Sequence, residues 1–127
     1  MKRVEALQTG ATALAGIEAM LTGVASEDRV VRRKGCMSVG SIIEFGSDDP
    51  DVVKVRDRSK TGLVRALTDA VERAKGDGEI SHDVDTSGAA RFIMTVMQGL
   101  QTDARAGAKP EALRTTARFS LAALTHR

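Results

Sequence analysis

At 127 residues, with 28% charged and 42% apolar residues, the chain has the size and balance of one domain and is long enough to bury a core. A net charge of +2 is too small to mark a nucleic-acid surface by itself, and one cysteine excludes an internal disulfide. Three Phe, no Trp and no Tyr argue against a sheet-based fold, because strands favour aromatic and β-branched residues.

Residues 1–9 read as the end of a helix. Val4 and Leu7 are apolar, Lys2, Arg3 and Glu5 are charged, and Gly10 closes a segment too short to stand alone. From 11 to 25, Ala13, Leu14, Ile17, Met20, Leu21 and Val24 recur at helical spacing, while Gly16 and Gly23 weaken the helix and allow close approach. Residues 26–35 form a polar connection in which Arg29, Arg32, Arg33 and Lys34 make a basic cluster. It reads as a solvated loop; a phosphate contact is the sharper alternative, but no aromatic residue is interleaved to stack on a base. Residues 36–45, CMSVGSIIEF, are apolar most of the way round a short helix, which predicts burial. Cys36 has no histidine beside it and reads as a packed small residue rather than a reactive thiol.

The strongest helix start follows. Asp49 is the cap, Pro50 suits the first helical position, and Asp51 favours the positive end of the dipole. Val52, Val53, Leu63, Leu67, Ala70, Val71 and Ala74 carry this helix to Gly76, with Arg56, Asp57, Arg58, Lys60 and Arg65 on its wet face. The polar turn GDGEISHDV leads into residues 85–107, the longest clean helical pattern in the chain. Ala89, Phe92, Ile93, Val96, Met97, Leu100 and Ala104 make its bulky stripe, and Thr95, Gly99, Thr102 and Ala106 make a small-residue stripe beside it. Asp85 is its N-cap and Gly107 its stop. Mid-helix Gly99 costs about 1 kcal/mol relative to alanine, so a close neighbour is expected there, either the chain's own core or a second copy. Pro110 and Glu111 open the last helix, which carries two apolar stripes: Leu113, Thr116, Ala117, Ser120, Leu121 and Leu124, and then Phe119, Ala122 and Ala123. That is more than one neighbour covers.

Little in the chain suggests catalysis. Glu79 and His82 have the Glu-x-x-His spacing of di-iron bundles, but such sites need two of these motifs and further inward carboxylates. The other histidine, His126, lies at a fraying end, and no phosphate loop or dinucleotide fingerprint is present, so no enzyme, cofactor or metal is expected. No apolar run approaches membrane-spanning length, and the N-terminus lacks a signal-peptide core, so a cytoplasmic location is expected. Met20, Met37, Met94 and Met97 all fall in apolar helical segments. Methionine suits a site that accepts varied apolar guests, although composition alone favours gap filling in a core.

Taken together, Gly35-Cys36-Met37, Asp49-Pro50-Asp51-Val52, Gly78-Glu79-Ile80, Asp85 opening a helix through Gly99-Leu100, Ala104-Arg105-Ala106-Gly107 and the closing Leu-rich helix resemble the C-terminal domain of TetR/AcrR-type transcriptional regulators. The resemblance covers the chain from about Ala11 onward. It implies one all-α domain over residues 1–127, a bundle of five to six helices whose last two, 85–107 and 110–126, form a four-helix bundle in a homodimer. It also implies a small apolar effector, lined by Met20, Met37, Ile43, Leu63, Leu67, Phe92, Val96 and Met97. For the dimer interface it implies Thr95, Gly99, Thr102, Ala106, Leu113, Ala117, Leu121 and Leu124. Such regulators, commonly repressors, read DNA through an N-terminal helix-turn-helix. Residues 1–9 match only the tail of the helix connecting to it, so DNA binding is expected only through a domain outside this chain. The alternative from another class is a stand-alone helical protein that forms mixed dimers with a related regulator.

Overall fold

The structure, a computed structural model, describes residues 5–7, 11–26 and 50–125. Within them run four long helices: α1 (Ala13–Ser26), α2 (Pro50–Gly76), α3 (Thr86–Arg105) and α4 (Pro110–Thr125), and residues 5–7 are also helical. The architecture is all-α, as expected. The basic cluster, the Cys36 segment, Met37, Ile43, Asp49 and His126 lie outside the described residues.

Local chemistry accounts for the helix ends. Asp85 sits in extended backbone, and its carboxylate accepts a hydrogen bond from Gly88 N at 3.1 Å, satisfying a free donor of the first turn of α3. At the other end Gly107 takes a φ of +96°, a left-handed conformation that costs glycine no steric strain. The last carbonyls of α3 are met there by Ala106 N on Thr102 O, Gly107 N on Ala104 O and Ala108 N on Asp103 O. Pro110 then starts α4 as its first residue. The turn from α2 to α3 is stapled by Lys75, whose Nζ donates to Val84 O at 2.8 Å and Thr86 Oγ1 at 3.0 Å. The Thr86 hydroxyl in turn donates to Glu72.

α1 is the centre of the bundle. It carries a single charged residue, Glu18, so a helix built from it has little to offer water. It packs against α2, α3 and α4, and Ile17, Met20, Leu21 and Val24 are fully buried. α2 also packs on α3, and α3 on α4. Glu79, from the α2–α3 turn, reaches across to the start of α1, where its Oε1 accepts from Leu14 N at 3.3 Å. Its role here is to cap a helix, and His82, its partner in the motif, is exposed.

Gly16 shows why α1 tolerates glycine. A Cβ at this position would stand 2.2 Å from the Leu7 carbonyl oxygen and 2.9 Å from its carbon. The 5–7 turn therefore crosses α1 at backbone contact, and Leu7 enters the core at 3% exposure. Gly16→Ala forces that backbone away and is expected to destabilise the fold by about 1–3 kcal/mol, as overpacking does. Urea unfolding followed by circular dichroism measures this; an unchanged midpoint would show that the 5–7 turn moves aside freely.

Candidate effector site and dimer face

Consecutive positions on a helix are about 100° apart, which allows the predicted stripe of α3 to be compared with the buried one. The buried residues are Ala89, Ala90, Ile93, Met94, Met97, Leu100, Gln101 and Ala104. This arc is rotated by roughly 50° from the predicted stripe. Phe92, expected on the inner face and among the pocket residues, is 39% exposed, and Val96 is half-buried at the rim. Ala90, Met94 and Gln101 take the inner positions instead. The cause is that α3 is covered from three sides, by α1, α2 and α4, and their placement sets the centre of its buried arc.

Of the residues expected to line a pocket, Met20, Leu67 and Met97 belong to one buried cluster, and Leu63 and Val96 pack against its edge. Phe92 lies outside it, and Met37 and Ile43 outside the described residues. Two grooves run along α2. One, of 520 Å³, is lined by Thr61, Val64, Arg65, Thr68 and Asp69. The other, of 660 Å³, shares Arg65 and Asp69 and extends over Gly62, Ala66, Glu72 and Arg73 to Leu7. Among the described residues, none of those expected to line the pocket borders either groove.

Two polar side chains are buried among the described residues, Gln101 and Ser120. Ser120 donates through Oγ to Thr116 O at 3.0 Å, so its need is met within its own helix. The side-chain amide of Gln101, 4% exposed, makes no hydrogen bond among the described residues. The sequence contained a signal for it, a glutamine four residues after Met97 on the same helical face, but the predicted stripe passed to one side of it.

The face expected to meet a second copy divides differently on the two helices. On α3, Thr95, Gly99, Thr102 and Ala106 are all exposed, and a Cβ added at Gly99 meets nothing within 4 Å. No part of the described chain explains its bareness. On α4 the expected residues Leu113, Ala117 and Leu124 are buried in the chain's own core, and Leu121 packs against that core half-buried. They are taken up within the protomer, because this is the side of α4 turned to its neighbours α1 and α3. The outward side carries the other apolar stripe, Phe119, Ala122 and Ala123, with Ala112 beside it. Phe92 and Phe119, at 39% and 75% exposure, are the two exposed large hydrophobic residues among those described, and they lie on α3 and α4 respectively.

An all-helical domain closing on a hairpin with an apolar outer face has a close counterpart among known families. Residues 13–120 match the model described as Tetracyclin repressor-like, C-terminal domain. The chain belongs to this family. Solved structures agree on the fold of such a TetR domain. A TetR transcriptional regulator from Rhodococcus sp. RHA1 superposes with a TM-score of 0.81 at 23% identity, over 100% of this chain and 68% of that one. A cysteine mutant of the TetR family regulator CifR, in complex with 26-base-pair operator DNA, gives 0.76 at 24% identity over 96% of this chain and 64% of its own. A second CifR mutant complex gives 0.75 at 22% identity, over 97% and 65%. This TetR-type chain thus spans about two thirds of the length of these regulators. No curated protein matches the sequence. Among the described residues no helix is long and apolar enough to cross a membrane.

Proposed function

We propose that this domain is the dimerisation and effector-sensing part of a TetR-type transcriptional repressor that binds a small, largely apolar molecule. The observation that carries the reading is the placement of Phe92 and Phe119. A protomer that leaves its two exposed large hydrophobic residues on its last two helices, flanked by alanines and a bare glycine, has an unfinished apolar face. A homodimer through α3 and α4 would cover it, with an interface on the order of 2,000 Å². An effector seated among Met20, Leu67 and Met97, against the inner face of α3, would favour one of two arrangements of that dimer. DNA-reading domains attached to the N-terminal side would then change their spacing.

Light scattering and a thermal-shift screen with diverse apolar compounds test the two halves separately. A dimer at micromolar concentration and a ligand that raises the melting temperature are expected, since a molecule binding only the folded state stabilises it. A wild-type monomer would remove the first half. A dimer that no compound stabilises would leave the mixed-dimer interaction protein as the better account.

For DNA, the expected result for these residues alone is weak, sequence-blind attraction. Specific readout needs side chains held against base edges in a groove, which in this family is the task of the helix-turn-helix. The basic residues Arg29, Arg32, Arg33 and Lys34 supply phosphate attraction that falls steeply with salt through counterion release. Titration with operator-like and scrambled duplexes at low and physiological salt checks this; a preference surviving physiological salt would overturn it.

A further inference from the structure

Gln101 is the residue the fold leaves unexplained. Its side chain is 4% exposed on the inner face of α3, yet its amide has no hydrogen-bond partner among the described residues. A buried amide without a partner forfeits the hydrogen bonds it would make in water, a penalty folded proteins rarely leave standing. Its surroundings on the helix are soft. Met97 lies four residues before it and Met94 seven, so all three share one face, and both methionines are buried. Methionine side chains rearrange readily around a guest.

The remaining chemistry narrows what such a guest is. Apart from Gln101 and the self-satisfied Ser120, no polar or charged side chain is buried among the described residues. A charged ligand would find no buried counter-charge there and would keep its full desolvation cost. A primary amide both donates and accepts, so it matches a carbonyl, hydroxyl or amide on an otherwise apolar molecule. We propose that Gln101 is the hydrogen-bonding anchor for a neutral, predominantly apolar effector that displaces Met94 and Met97 and presents one such group to the amide. The proposal rests on the effector-binding reading above and adds the class of molecule and the residue that selects it.

The test compares pairs of neutral probes that differ only in the polar group, such as 4-phenylbutan-2-one against butylbenzene, within a screen of apolar ketones, alcohols, amides and their hydrocarbon counterparts. Binding is read by calorimetry on wild type and on Gln101→Met. In wild type the polar member of a binding pair is expected to bind about tenfold tighter or more, the equivalent of one good hydrogen bond. In Gln101→Met that preference should vanish. The same substitution should leave the melting temperature of the ligand-free protein unchanged or raised, because it replaces an unpaired amide with an apolar chain of similar volume. Equal binding of both members in wild type, or a preference that survives in Gln101→Met, overturns the anchor and leaves the effector reading intact. A clear fall in melting temperature shows that a buried structural water already satisfies Gln101, and also overturns it. If no probe binds wild type, the effector reading fails and the anchor with it.

Discussion

Gly99→Leu is expected to convert a dimer into a folded monomer. Gly99 is exposed, and a Cβ built there meets nothing within 4 Å, so the protomer has room for the larger side chain. Within α3 the change even removes the helix penalty of glycine, about 1 kcal/mol. The damage falls on whatever approaches from outside. If that is α3 or α4 of a second copy, a leucine on the small-residue stripe of Thr95, Thr102 and Ala106 holds the helices apart. Phe119→Glu attacks the same face by other means, placing a charge where a ring 75% exposed in the protomer would be desolvated. Either variant should weaken dimerisation by a factor of about 100 or more, corresponding to the loss of about 2.7 kcal/mol, the scale of an interface hot spot. Sedimentation velocity over a concentration series reads the affinity, and far-ultraviolet circular dichroism verifies that the helices persist. Arg65→Ala, on the groove side of α2, is the control and should not alter association. Variants that remain as dimeric as wild type would place the interface elsewhere.

The second large effect is a contrast between two residues that the apolar pattern alone treats as equivalent. Met97 is 1% exposed inside the core, whereas Phe92 is 39% exposed on its outer side. Met97→Ala is expected to cost about 2–5 kcal/mol, through lost burial and the cavity left behind. Phe92→Ala should cost less than about 1 kcal/mol within the protomer, as changes at partly exposed sites do. The comparison is best made in the Gly99→Leu background, where loss of an interface does not enter the unfolding free energy. Denaturant midpoints with equal slopes would give the two values directly. Equal costs would mean that Phe92 is packed inside, and the inner arc of α3 would have to be redrawn.

The boundaries of the helices and the nature of the bundle were readable in the chain because short-range chemistry decides them. Asp85 accepts from a backbone donor three residues on, Gly107 as a glycine takes the left-handed turn cheaply, and Pro50 and Pro110 each begin a helix. None of these depends on what lies across the bundle. The scarcity of aromatic residues and the three-and-four spacing of apolar ones likewise sufficed for an all-helical fold. The pieces around Gly35, Asp49, Gly78, Asp85 and Ala104 and the closing Leu-rich helix pointed together to the TetR family, though Gly35-Cys36-Met37 and Asp49 fall outside the described residues.

Which face of each helix looks inward was a different matter. α4 has two apolar stripes, and spacing alone does not say whether Leu113, Ala117 and Leu124 or Phe119, Ala122 and Ala123 meet the protomer's own core. The positions of α1 and α3 choose the first set and leave the second outside. The same holds for α3, whose buried arc is centred by three neighbours and so takes in Ala90, Met94 and Gln101 while turning Phe92 out. A helical pattern records that a face is apolar; the direction in which that face is buried comes from elements distant in sequence. α1 shows this most plainly. It is the shortest of the four long helices, weakened by Gly16, yet all three others pack on it, because almost nothing on its surface needs water, and the bare Gly16 admits the Leu7 backbone as well. The isolation of the Gln101 amide was likewise decided only when the helices came together, since burial and the absence of a partner are properties of the assembled core and not of the residue.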